Sequence, residues 1–439
     1  MSHRRQRNRK NPLRPLWYRL RDLLRRFSRL PKDEIVSDEP IDFSAPSVPY
    51  YTNLSEKFNL ARIVLYMVLF VFVVVTVLGS RHLITYDNLY YLVKDINAAT
   101  LTAQSQADYL NYPMSSATAD FAIYRGGLTV AGGQEITVLS GSGKQTLSEN
   151  VSMSRPCVRA GQQYFITFSR GENDFSVYNG FVRLRKEASD FPIYEACMSK
   201  DGSFAVLTRS MDYTSEVIFY DDDMDKLAAA HIGGYVTSLS ISEDGRSLAI
   251  LSLELKDQIY VTKLTILRRG TAGITTREIF VEGRTALTSA FLEDDRLAVV
   301  FEDGLCLYKN NGDQVTEVSF EDTSPHLCAA ADGYVAVLCH EKNSLTGYEL
   351  SVFDKNGRLA YRTELPSFSN ADELLLVGEN AYIRTGERIL YVADGGDRLL
   401  EATVHRDTIT LLSNEDGALL ACGPAYAQRL VPSDFTPVS

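Results

Sequence analysis

The chain has 439 residues, 45% hydrophobic and 10% aromatic, with a formal net charge of −11. This is the composition of an ordinary folded protein with room for one large all-β domain or two small ones, and its acidity argues against nucleic-acid binding. The charge is unevenly spread: residues 1–62 hold 14 Lys+Arg against 7 Asp+Glu, and the remainder holds 31 against 49.

Residues 1–57 read as a basic tail. The stretch 1–12 is polar and lacks apolar periodicity. Over 14–30, Leu16, Leu20, Leu23, Leu24, Phe27 and Leu30 recur at helical spacing, flanked by Arg19, Arg21, Arg25, Arg26 and Arg29. Such a basic amphipathic helix suits an anionic lipid surface; it also suits an orientation signal or the docking of a cytoplasmic partner. Residues 31–57 form a linker broken by Pro31, Pro40, Pro46 and Pro49.

Residues 58–80 are read as a transmembrane signal anchor. Ile63 to Gly79 carries no charge and no proline. At about 1.5 Å per residue it spans roughly 25 Å, close to a bilayer core of about 30 Å. Val77-Leu78-Gly79 is a poor signal-peptidase site, so the anchor is expected to remain uncleaved. The basic side before it and the acidic side after it place the N-terminus in the cytoplasm and the C-terminal domain outside the cell membrane. Residues 81–119 read as a stalk: Asp87 or Asn88 can cap a helix whose stripe is Leu89, Leu92, Val93, Ile96 and Ala99.

From 120 to 439 the pattern becomes short strands and tight turns. One turn recurs as Ser199-Lys-Asp-Gly202, Ser242-Glu-Asp-Gly245, Glu293-Asp-Asp-Arg296, Ala330-Ala-Asp-Gly333, Gly378-Glu-Asn380 and Asn414-Glu-Asp-Gly417. A hydrophobic strand follows each, and a second turn follows in most repeats, as at Phe219–Asp222 and Val352–Gly357. Four short strands every 40–45 residues or so are the signature of propeller blades. Modules begin near 151, 193, 235, 285, 325, 368 and 406, and 121–147 forms another. The last module has three strands, so the ring is expected to close with an N-terminal strand. Eight blades are favoured; seven result if 121–147 merges with the last module.

The chemistry-bearing motifs are weak. GSGKQT at 141–146 has Val138 and Gln145 where a phosphate loop needs Gly and Ser/Thr, and it falls in a strand–strand turn. The histidines His3, His82, His231, His326, His340 and His405 lack metal-ligand spacing. Asp221 to Asp225 lacks the alternating pattern of a calcium loop. The cysteines Cys157, Cys197, Cys306, Cys328, Cys339 and Cys422 are widely spaced and read as small buried residues, with Cys328–Cys339 the one plausible bridge. No catalytic residue, cofactor site or metal site is assigned. The single tryptophan, Trp17, precedes the ring, so its blades must pack with Tyr, Phe, Val and Leu.

In repeat length and strand pattern, residues 120–431 resemble the quinoprotein-like and WD40-like propellers, without their cofactor or Trp-Asp motifs. The order of basic tail, anchor, TYDNLYYLVKDINAA at 85–99 and FAIYRGGLTVAGG resembles an uncharacterised, domain-of-unknown-function family of single-pass, membrane-anchored propellers of Gram-positive bacteria. That resemblance implies a ring outside the membrane and transfers no catalytic residues. The expected role is a binding or scaffolding module for a protein or cell-envelope ligand. The alternatives are a cell-surface hydrolase or lyase with its site at the channel, and a transmembrane sensor or assembly factor.

Overall fold

The computed structural model describes residues 58, 61–72, 74, 109–113, 118–141, 143–320, 323–340, 346–368, 370–413 and 418–438. It comprises two units, Met1–Thr85 and Tyr86–Ser439. In the first, residues 61–72 are helical and exposed. Twelve residues amount to about 18 Å of helix. Among the described residues no helix is long and apolar enough to cross a membrane. The rest of the expected anchor, the amphipathic helix at 14–30, the linker and most of the stalk lie outside the described residues.

The second unit is all-β. Its described strands, numbered β1 to β33 in chain order, form eight antiparallel sheets. The innermost strands of blades 1 to 8 are β2 (Asp120–Tyr124), β6 (Pro156–Ala160), β10 (Ile193–Met198), β14 (Tyr235–Ile241), β18 (Ala286–Leu292), β22 (Pro325–Ala331), β26 (Glu373–Val377) and β30 (Thr410–Ser413). Each touches the innermost strand of the next blade, and β30 touches β2, so the ring is closed. The stretch at 120–150 is a blade of its own, which settles the count at eight.

The turns follow from local chemistry. The type I′ two-residue hairpin needs positive φ at both central positions, which Gly, Asn and Asp tolerate best. Asp332 (φ 47) and Gly333 (φ 84) supply it in blade 6; in blade 5 the turn is three residues long, Glu293–Asp295, with positive φ at Asp294 (φ 58) and Asp295 (φ 57). All inner strands begin on one face of the ring, the first face, and turn back on the other, the second face.

Period-two strands bury one side against each neighbouring blade, and this produces eight hydrophobic clusters, one per blade interface. Aromatic pairs take the load that tryptophan would otherwise carry. Phe165 stacks on Tyr178 across blade 2 with centroids 5.1 Å apart, and Phe204 on Tyr220 across blade 3 at 4.5 Å. Each fully buried ring contributes about 2–3 kcal/mol through removal of apolar surface from water.

Blade 8 has only three strands from the C-terminal module: β30, β31 (Leu419–Cys422) and β32 (Tyr426–Leu430). Its fourth is β1 (Tyr109–Asn111), paired with β32 through Leu110 opposite Ala427. Closure by an N-terminal strand is as expected. The strand itself lies within the stretch read as stalk, so the ring reaches back to Tyr109. The Tyr112 hydroxyl donates to the Gly423 carbonyl at 2.5 Å. A feature with no sequence signal is β33 (Thr436–Pro437), which adds a fifth strand to blade 7 on the edge of β29 (Arg398–Thr403).

Candidate functional site

The inner strands of blades 1, 2, 6, 7 and 8 wall a cavity of about 670 Å³ towards the second face. Most of its lining is aliphatic, including Ile123, Ala160, Leu375, Val377 and Leu412; Arg159 and Asp332 are its charged members.

The polar groups on the inner strands bond from blade to blade. Asp120 of blade 1 accepts from the Val158 backbone N–H at 3.0 Å and from Arg159 at 2.8 Å in blade 2. Arg159 reaches Glu195 of blade 3 at 2.7 Å, and Glu195 also accepts from Arg170 at 2.6 Å. Burial works against the Arg159 charge, but Glu195 and Asp120 outweigh it and raise the pKa. Ser238 of blade 4 accepts from the Ser289 N–H of blade 5 at 3.1 Å, and Ser240 from Phe291 at 2.9 Å. Glu373 of blade 7 accepts from Thr410 Oγ1 at 2.6 Å and from the Leu411 N–H at 3.0 Å in blade 8, while Arg384 lies 3.2 Å from it. A carboxylate with these partners stitches strands together; as a general base it would have to give them up.

A second cleft, of about 700 Å³, opens on the second face across blades 3 to 5. It is lined by the turn residues Asp201, Asp244, Asp295 and Arg246 and by Arg269 near the end of β16 (Ile259–Gly270), among others. Its charges are largely internal to it. Asp201 binds its own turn through Ser199 and Ser203, Arg269 lies 3.6 Å from Asp222, and Asn310 donates to Asp295 at 2.7 Å.

The motifs weighed in the sequence fall as follows. Of GSGKQT, Gly143 and Lys144 directly precede β5 (Gln145–Asn150), and Gln145 and Thr146 lie within it. In the Asp221–Asp225 run, Asp221 accepts from the Asp223 and Asp225 backbone N–H groups and caps a turn. All six cysteines are free, including Cys328 and Cys339. Burial pushes the Cys197 and Cys328 thiols up to about 12 and raises Cys422 as well. His326 and His340 do meet, with ring centroids 5.0 Å apart, in a cluster with Tyr348 and Phe368. The His326 Nε2 lies 3.2 Å from the Ala371 carbonyl oxygen. Among the described residues, no group of three His, Cys, Asp or Glu side chains gathers as a metal would need.

What brings His326 to His340 is a bulge. The pairing of β22 with β23 (Tyr334–His340) slips between Pro325 and Leu327. The same slip occurs at Ile193/Glu195, Val236/Ser238 and Ala286/Thr288. The extra residues Tyr194, Thr237, Leu287 and His326 therefore occupy one repeated position at the first face. An inserted residue re-aims a side chain without altering local composition, so sequence periodicity did not reveal it.

Blade 4 also departs from the repeat. Its strands β15 (Ser247–Lys256) and β16 (Ile259–Gly270) run on at the first face past the last pairing of β14, Tyr235 with Leu253. They turn at Asp257 and Gln258, both with positive φ. Leu255, Ile259 and Tyr260 on this projecting hairpin are exposed.

Among solved structures, the chain is similar to apo AztD from Citrobacter koseri, at 11% identity and a TM-score of 0.49 over 65% of this chain and 86% of that one. It is also similar to the hydrazine synthase of Kuenenia stuttgartiensis, at 11% identity and a TM-score of 0.44 over 67% and 99% respectively. These are loose likenesses of shape. No curated protein matches. Residues 103–421, which run from just before the closing strand to the last blade, match the family of unknown function DUF5711, and the chain belongs to that family.

Proposed function

We propose that this protein is a binding module anchored in the cell membrane by one helix at 58–80, with its propeller outside and its basic tail in the cytoplasm. The setting that fits is the single membrane of a Gram-positive cell, with the tail helix at 14–30 resting on anionic lipid. The anchor is supported by the uncharged run from Ile63 to Gly79 and the opposite charge on its two sides.

The observation that carries the binding role is how the inner strands use their polar groups. Asp120, Glu195, Ser238 and Glu373 hold neighbouring blades together. This leaves a ring whose turns are free to face outward, and turns on a firmly joined frame suit recognition of a protein or envelope ligand.

Two measurements test the reading. Protease added to intact spheroplasts should degrade the ring and spare a tag on the tail; a protected ring with a degraded tail would overturn the topology. Crosslinking in the native membrane should give discrete products from the ring; products from the tail alone would assign binding to the cytoplasmic side.

A further inference from the structure

The exposed large hydrophobic side chains of the ring are unevenly distributed. Tyr194, Met211, Tyr213, Tyr235, Leu255, Ile259, Tyr260 and Leu287 all lie at the first face of blades 3, 4 and 5. Met211 is 85% exposed, Tyr235 77% and Leu255 67%. Within blade 4, Leu255 pairs with Tyr260 across the projecting hairpin, and Tyr235 pairs with Leu253 at its base. Beside it, the Tyr213 ring stacks on His231 with centroids 4.9 Å apart, which holds the blade 3 turn in place. A run of exposed aromatic and aliphatic groups on a projecting hairpin has the anatomy of an interface core.

The charges around it are mostly acidic. Asp212 lies between Met211 and Tyr213 in the chain. Glu254 and Glu282 both pair with Val261, so they share one cross-strand row at the hairpin base, and Asp257 sits at the tip. The cations are Lys256 at the tip and Arg209, which ends the blade 3 strand before Met211. An anionic lipid surface would be repelled by this rim, and so would a second copy presenting the same rim. The chain also enters the ring from the opposite side, because β1 runs from the second face to the first.

From this we infer that the β15–β16 hairpin, with the adjoining blade 3 turn, is a docking knob for a partner protein that offers an apolar groove rimmed by Lys and Arg. The inference rests on the binding-module reading and names the face and the partner chemistry. Leu255 and Tyr260, paired on one side of the hairpin, enter the groove; Ile259 lies on the other side with Glu254 and Glu282, which together with Asp257 meet the basic rim and set the register.

A photo-crosslinking residue placed at Ile259 of the full-length chain in its native membrane tests this, with Asn311 on the second face as the comparison position. The expected result is one dominant protein product from Ile259 and none from Asn311. Its crosslinked peptide should map to an apolar groove flanked by basic residues. The product should fall at least ten-fold in Leu255→Asp/Tyr260→Asp and in Glu254→Lys, each verified as folded by circular dichroism, and should weaken as salt is raised. A product that is a second copy of this chain or lipid overturns the inference, as does one insensitive to Glu254→Lys. Products from Asn311 alone overturn it while leaving the binding-module reading standing, and no product from either position overturns both.

Discussion

Gly245 shows how closely the blade turns pack. Its φ is +64, and a Cβ there would fall inside van der Waals contact of the Asp201 carboxylate and the Ser203 hydroxyl of the preceding blade. Gly245→Ala should therefore lower unfolding stability by about 2–3 kcal/mol, since left-handed strain and displacement of Asp201 add. Gly378→Ala, at φ +58 with nothing within 4 Å, should cost only about 1 kcal/mol. Urea denaturation followed by circular dichroism separates the two; equal losses would contradict the packing argument. Buried acids set a second expectation at this scale. Burial, with Glu187 adding to it, raises Tyr220 from 10.0 to about 12, and burial raises Cys197 from 9.0 to about 12. The folded state keeps these protons at pH values where the unfolded chain releases them, so the stability is full below about pH 9 and is lost as pH rises towards 12. The thermal midpoint should fall progressively between pH 9 and 11.5; a flat profile would contradict it. The turn glycine and its Asp partner were legible as residues, but their contact across two blades was not, because 43-residue spacing says nothing of which side chains face each other.

At the scale of elements, β1 is the decisive one. It fills the outer position of blade 8, with Leu110 and Tyr112 buried against Cys422 and Ala427. A chain beginning at residue 86 should fold like the intact ring. One beginning at residue 120 should lose roughly 3–6 kcal/mol, the range for removing large buried side chains, and should self-associate through the bared edge of β32. Size-exclusion chromatography and urea denaturation check both halves, and equal behaviour of the two chains would remove β1 from the closure. The need for such a strand was legible from the three-strand last module. Its position was not: YLN at 109–111 is too short to show a period, and it continues a stretch whose composition suits a helix. The long hairpin of blade 4 and the repeated bulges were hidden for a related reason, since pairing register is a property of two strands and not of either one.

At the scale of the molecule, a closed ring has no end from which to unravel. Arg159→Ala leaves Asp120 and Glu195 facing each other across blades 1 to 3 without their shared cation. The loss should be about 1–2 kcal/mol, tempered because the site is one-third open to solvent. Unfolding should remain a single transition with a lower midpoint, since all eight interfaces depend on closure. Two separated transitions would show that the blades melt independently.

Features that are local in the chain follow from residue order alone: the alternation of buried and exposed residues, the Asp-Gly turns, the repeat near 43 residues and so the propeller, and the charge contrast between residues 1–62 and the rest. The tertiary structure alone decided the features built from distant residues. Tyr112 meets Gly423 across 311 positions of sequence. His326 meets His340 because a bulge turns one towards the other. Eight exposed apolar side chains gather on the first face of blades 3 to 5 because those blades present the same ends of their strands there. A local pattern carries the first kind of information because period and turn chemistry act within a few residues. The second kind arises only when the ring closes and sets which distant residues become neighbours.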